Sequence, residues 1–284
     1  MIGLDLVFSS NLPIGAGLSS SAALSCGFAA LMNDYSQLQW SKKEIALKCQ
    51  WTEHEYVGVK CGIMDQFASV FGKENSALLL DCLTTEIQYY PTNFGDYSLV
   101  LFDSCVKHSL VASEYNQRRN EVKDGFDLLK KLYPNLQTFR DLRLEMIKNK
   151  EVHLSDVQTL RLQFIVKEIE RTLKAVQFLE NEQFKEFGEL LSQTHEGLSK
   201  EYEVSCKELD FLVDEALKGE HVLGSRMMGG GFGGCSINLI KSDKIDEVSS
   251  VLKERYLQKF GIELKVHPIN ISNGTQILEN HDRI

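Results

Sequence analysis

The chain has 284 residues, 43% of them hydrophobic and 25% charged, enough for a sizeable core and typically for two domains. Its formal net charge of −9 argues against a protein that grips nucleic acid, which needs a basic face to displace condensed counterions, so an anionic ligand has to be held locally. Seven cysteines without a Cys-x-x-Cys pair, a start without a basic n-region, and a longest apolar stretch (22–32) too short for a bilayer predict reduced thiols in a cytoplasmic protein with no membrane span.

Residues 4–8 alternate in polarity as a strand does and lead into Pro13-Ile-Gly-Ala-Gly-Leu-Ser-Ser-Ser-Ala-Ala-Leu24. Gly15 and Gly17 let the backbone approach a ligand closely, and Ser19, Ser20 and Ser21 stand where a helix opens with free N–H groups and a positive dipole end. The run has no Gly-Lys-Ser/Thr ending, so it is not a Walker loop. It reads either as a phosphate cradle built on hydroxyls or as a tight strand-to-helix turn capped by serine. The helix over 20–32 is apolar all round and is expected to be buried.

A second helix opens at Ser41 with the capping box Ser41/Glu44 and runs toward Gly58, carrying Glu53. An acid in mid-helix usually faces solvent, yet magnesium needs only one or two protein oxygens, and Glu53 with the Ser21 hydroxyl would suffice. In Cys61-Gly-Ile-Met-Asp-Gln66 the carboxylate of Asp65 falls in the first turn of a helix over 63–71. It is either a cap or an acceptor for a substrate hydroxyl in phosphoryl transfer. Strands follow over 76–82, 86–90 and 97–103, so the first part reads as α/β.

Long amphipathic helices then dominate: 113–132, 160–180, 183–202 and 206–218, the last opened by Ser205 and Glu208 as a second capping box. The run Gly229-Gly-Gly-Phe-Gly-Gly234 satisfies G-x-G-x-x-G in the wrong context, since a helical segment is expected before it and a strand over 235–240 after it. It is either a second wall for a phosphate site or a tight interdomain turn. A helix over 244–260 and a strand over 263–269 complete an α+β second part. The histidines form no His-x-x-x-His or Cys/His cluster that would hold structural zinc.

Three segments together, 13–22, 61–66 and 225–235, resemble the GHMP kinase family, and within it the galactose-phosphorylating members. Ser113-Glu-Tyr-Asn-Gln-Arg-Arg119 and Tyr202-Glu-Val-Ser-Cys-Lys-Glu-Leu-Asp210 extend the likeness to nearly the whole chain. The resemblance implies an α+β, two-domain fold, with a ribosomal protein S5 domain 2-like ATP-binding part over 1–104 and a ferredoxin-like C-terminal part over 105–284. It implies that Gly15, Ala16, Gly17, Leu18, Ser19, Ser20 and Ser21 hold the ATP phosphates, with Gly229, Gly230 and Gly231 packed beside them. Ser21 and Glu53 would coordinate Mg²⁺, Gly62, Asp65 and Tyr115 would touch galactose, and Asp65 would face the attacking hydroxyl. The expected partners are ATP and galactose, with no nucleic acid or membrane, and the expected state is a monomer.

The family's Gly-Arg-Val-Asn-Leu-Ile-Gly-Glu-His-x-Asp-Tyr signature, with its sugar contacts and an arginine beside the aspartate, is not among these residues. Impaired turnover, an open sheet edge and exposed apolar surface are therefore expected. The alternatives are a non-catalytic relative that binds nucleotide or a protein partner, and another small-molecule kinase of the same family. Asp65 and Glu53, which a pure binder does not need, favour the kinase, and the segments 61–66 and 113–115 favour galactose.

Overall fold

A computed structural model describes residues 3–13, 15–107 and 111–278. Residues 3–13 form no strand and are largely exposed, Val7 almost fully. The alternation over 4–8 is therefore not realised, because a strand is stable only when a neighbour exchanges ladder hydrogen bonds, and no described strand runs beside it. Helix α1 (Ser20–Tyr35) follows a turn in which Ser19 takes a left-handed conformation, φ 53°. Only Ala22 and Cys26 of this helix are buried, while Leu24 and Phe28 face outward. The all-round apolar pattern thus does not mean burial here: α1 packs one side on α2 (Lys42–Thr52) and α3 (Met64–Phe71), and on its outer side the Phe8 ring, 6.4 Å from that of Phe28, leaves Leu24 and Phe28 exposed.

The Ser41/Glu44 capping box forms as expected, and α2 passes into a π-helical turn, Glu53–Val57, that ends at Gly58 with φ 78°. Strands β1 (Ser76–Leu80) and β2 (Ile87–Pro91) form an antiparallel pair. Strand β3 (Tyr97–Lys107) is the centre of the molecule, and it runs through position 104, where the sequence suggests a domain boundary. The helices α4 (Val111–Leu132), α5 (Leu144–Ile147), α6 (Asp156–Glu180), α7 (Phe184–Lys200) and α8 (Lys207–Leu217) come next. α8 is capped by Cys206 without a side-chain hydrogen bond, so the expected Ser205/Glu208 box is absent and Glu208 is buried instead. The helical middle carries its box at Ser155/Gln158, which opens α6.

Strand β4 (Val222–Met227) precedes the glycine-rich run, contrary to the helical segment expected there, and β5 (Gly233–Lys241) follows it. The run is therefore the turn of a β-hairpin. It still does not open a helix, so the dinucleotide reading remains excluded. α9 (Ile245–Phe260) and β6 (Lys265–Pro268) complete the chain. The four-stranded sheet is antiparallel throughout, in the order β4-β5-β3-β6.

Side chains alternate across β3. Val100 and Phe102 enter a core with Leu212, Leu252 and Tyr256 from α8 and α9. Leu101, on the opposite face, packs with Cys235 under Ala16. A fully buried strand thus supports the first glycine segment from beneath. No helix among the described residues is long and apolar enough to cross a membrane.

Candidate active site

The two glycine segments, more than 200 residues apart in sequence, touch. A Cβ on Gly17 would lie 3.3 Å from the Met228 carbonyl oxygen, and one on Gly229 would lie 3.2 Å from the Gly17 carbonyl oxygen. Both glycines have φ near 78°, a region L-residues seldom adopt, so the approach needs glycine on both sides. Ala16 is buried beneath, Leu18, Ser19 and Ser20 are half-buried, and Gly15 and Ser21 are exposed at the rim. The Ser104 hydroxyl donates to the Gly234 carbonyl at 2.7 Å, and the Phe232 N–H donates to the Val204 carbonyl at 2.7 Å. These bonds fix the far side of the hairpin turn.

Tyr115, in α4, connects this turn to the acidic segment. Its ring lies 3.8 Å from where a Cβ on Gly230 would stand. Burial pushes its hydroxyl pKa up, the Arg119 charge opposes this, and Cys61 and Asp65 add to it, which puts all three within electrostatic reach of the ring. Asp65 is half-buried in the first turn of α3, and its carboxylate makes no hydrogen bond with another described residue. Gly62 is exposed, with open space where a side chain would stand.

The segment that bears Gly62 is held by residues whose role the sequence reading did not find. The Cys61 carbonyl accepts from Gln50 at 3.3 Å and lies 2.8 Å from His54 Nε2, which must carry the proton because a carbonyl cannot donate. Arg119 Nη1 donates to the Lys60 carbonyl. The only signal available in the sequence was spacing: Gln50/His54 and Tyr115/Arg119 are i,i+4 pairs, which share a helix face. Arg118, by contrast, pairs with Glu121 and donates to the Glu203 carbonyl.

Glu53 is 9% exposed, and its carboxylate has no hydrogen bond or ion pair among the described residues. Burial pushes the Cys61 thiol up, with the charges of Glu53 and Asp65 adding to the shift. A lone buried carboxylate fits magnesium, which takes few protein oxygens and keeps the rest for phosphate and water. No hydrogen bond joins Ser21 to Glu53 among the described residues, and no group of three His, Cys, Asp or Glu side chains gathers there or elsewhere among them.

The chain matches the family model of the GHMP kinases N terminal domain over residues 2–73 and that of the GHMP kinases C terminal over 175–258. It is 44% identical over 268 residues to a galactokinase of Thermotoga maritima, covering 94% of this chain and 74% of that protein. A galactokinase of Clostridium acetobutylicum is 38% identical over 275 residues, with 96% and 70% covered. Among solved structures, Lactococcus lactis galactokinase complexed with galactose superposes with a TM-score of 0.88 at 32% identity, over 94% of this chain and 69% of that one. A mevalonate kinase at 18% identity and TM-score 0.60 shares the fold. On two domain models, relatives along almost the full length and a shared architecture, the chain belongs to the GHMP kinase family, in its galactokinase branch.

Proposed function

We propose that this chain is a galactokinase-type sugar kinase, moving the γ-phosphate of ATP to the C1 hydroxyl of D-galactose to give galactose 1-phosphate and ADP. The observation that carries the reading is the mutual contact of the two glycine segments, with Tyr115 placed against one of them and within reach of the Asp65 charge. In this reading Gly15 to Ser21 and Gly229 to Gly231 cradle the phosphates with backbone N–H groups and hydroxyls. Gly62, Asp65 and Tyr115 bind the sugar, and Asp65 orients the hydroxyl and accepts its proton. Glu53 and Ser21 would hold Mg²⁺, which neutralises phosphate charge when bound.

Residues 1–104 form the ATP-binding domain and 105–284 the C-terminal domain, with β3 running from one into the other. The seven free cysteines support a reducing, cytoplasmic setting, and we read the enzyme as a monomer.

The test is formation of labelled galactose 1-phosphate from γ-labelled ATP at high protein concentration. Product that depends on galactose and Mg²⁺ and falls about 100-fold or more in Asp65→Asn is expected. Equal product from wild type and Asp65→Asn, or none from either, would overturn the assignment.

A further inference from the structure

β4 is an edge strand, so alternate N–H groups point away from β5 and must find partners outside the sheet. α7 supplies them. It lies so close that a Cβ on Gly188 would stand 2.3 Å from the Leu223 carbonyl oxygen. From α7, Ser192 Oγ accepts from the Ser225 N–H at 3.4 Å, and His195 Nδ1 accepts from the Met227 N–H at 3.1 Å. Met227 is the last residue of β4, two positions before the glycine that touches Gly17.

His195 is 5% exposed. Because Nδ1 receives a backbone proton it must present its lone pair, which leaves the ring proton on Nε2. Nε2 lies 3.2 Å from Asp210 Oδ1 on α8, and Asp210 Oδ2 accepts from the Ser199 hydroxyl at 3.0 Å. An anionic acceptor beside Nε2 selects this tautomer, as a carboxylate orients a metal-ligating or catalytic imidazole from behind. Neither side chain reaches the glycine turn itself.

We propose that His195 and Asp210 form a positioning pair for the phosphate-facing glycine turn, with Asp210 fixing the imidazole tautomer and His195 fixing the end of β4. The proposal rests on the nucleotide-site reading above. A displaced Met227 carries Met228 and Gly229 with it, and those residues meet Gly17 so closely that an added Cβ would stand 3.2–3.3 Å from a carbonyl oxygen. The pair therefore acts on nucleotide binding through backbone placement and touches no substrate.

The test combines affinity for a fluorescent N-methylanthraniloyl ATP with hydrogen–deuterium exchange over 227–232, in the full chain and in three variants. In His195→Leu, affinity should fall about tenfold and exchange over 227–232 should rise, with α9 unchanged. In His195→Asn, whose side-chain oxygen can accept from the Met227 N–H, most of both should return. Asp210→Asn keeps the shape of Asp210 but offers the ring a donor, so it should weaken binding with the fold intact. Wild-type affinity and wild-type exchange in both His195→Leu and Asp210→Asn would overturn the proposal. Should His195→Leu fail to fold, a folded Asp210→Asn with wild-type affinity and exchange does so. If the wild type binds no nucleotide, the site reading fails, and exchange over 227–232 still judges the pair by itself.

Discussion

Gly231 has φ 87°, and a Cβ there would lie 1.9 Å from the Val204 carbonyl oxygen, the acceptor of the Phe232 N–H. Gly231→Ala has to strain the backbone and break that bond, which together should cost at least about 2 kcal/mol by chemical denaturation. A change below about 0.5 kcal/mol would mean the turn is free to move. Asp210 carries a pH signature. Burial would raise its pKa, but the polar groups around it, the His195 imidazole 3.2 Å away and the Ser199 hydroxyl among them, outweigh it and hold the carboxyl below its ordinary value. A depressed carboxyl contributes stability that is present above its unfolded pKa of about 3.9 and lost as pH falls through the lower folded value. The stability difference between wild type and Asp210→Asn should therefore be constant near neutral pH and shrink below about pH 4. A difference that persists unchanged at lower pH would show that the carboxylate charge is not what matters.

α2 joins local sequence to the site, because the element begins at a capping box and ends at the turn bearing Glu53. Ser41→Ala removes the acceptor for the Glu44 N–H and should cost about 1 kcal/mol, measured as a lowered denaturation midpoint with unchanged slope. No change would mean the first turn of α2 is held by its packing alone. Such caps were legible in the sequence where the side-chain spacing and the start of the apolar pattern agreed, as at Ser41. They were misleading at Ser205, where the same spacing lies one residue before the true cap and Glu208 turns inward. Strands were legible where an apolar run has a neighbouring strand to pair with, as in β1, β2, β3 and β5. They failed at 4–8, where periodicity specifies a strand but no described strand runs beside it. β4 escaped notice because Val222-Leu-Gly-Ser-Arg-Met227 does not alternate, and its edge is satisfied by α7 rather than by a second strand. The glycine segments, Asp65 and Tyr115 could be found by motif. The residues that hold them, His54, Arg119 and His195, could not, since each acts on a backbone group distant in sequence or a turn away, which no motif records.

Across the whole molecule the cores are unequal. Val100 and Phe102 tie β3 to α8 and α9 in a dense cluster. The cluster of Cys26, Ile45, Ala46, Cys49 and Phe67 holds α1 to α3 together separately. That second unit also carries much of the exposed apolar surface: Leu24, Trp51, Tyr56 and Met64 are each more than half exposed. Among its links to the rest are the Gly17/Gly229 contact, the packing of Leu80 and Ile87 on its core, the Tyr89 hydroxyl donating to the Phe71 carbonyl, the Arg119 bond to Lys60, and the bonds from Gly274 to Gly72 and from Thr275 to Ser69. A unit with less buried apolar area per residue opens at lower free energy than one with more. Both tryptophans, Trp40 and Trp51, lie in this α1–α3 unit, while the long helices α4, α6, α7 and α9 lie outside it. Tryptophan fluorescence should therefore report a denaturant midpoint below that of helical circular dichroism, which breaks two-state behaviour. Phe102→Ala, which empties the dense cluster at a cost of about 3–5 kcal/mol, should move the dichroism transition and leave the fluorescence transition nearly where it was. In the proposed site ATP would lie between the two glycine segments and bind only when they are in contact, so ATP with magnesium should raise the fluorescence midpoint toward the other by mass action. Coincident transitions in the free protein would show that the contacts joining the two cores already couple them into one.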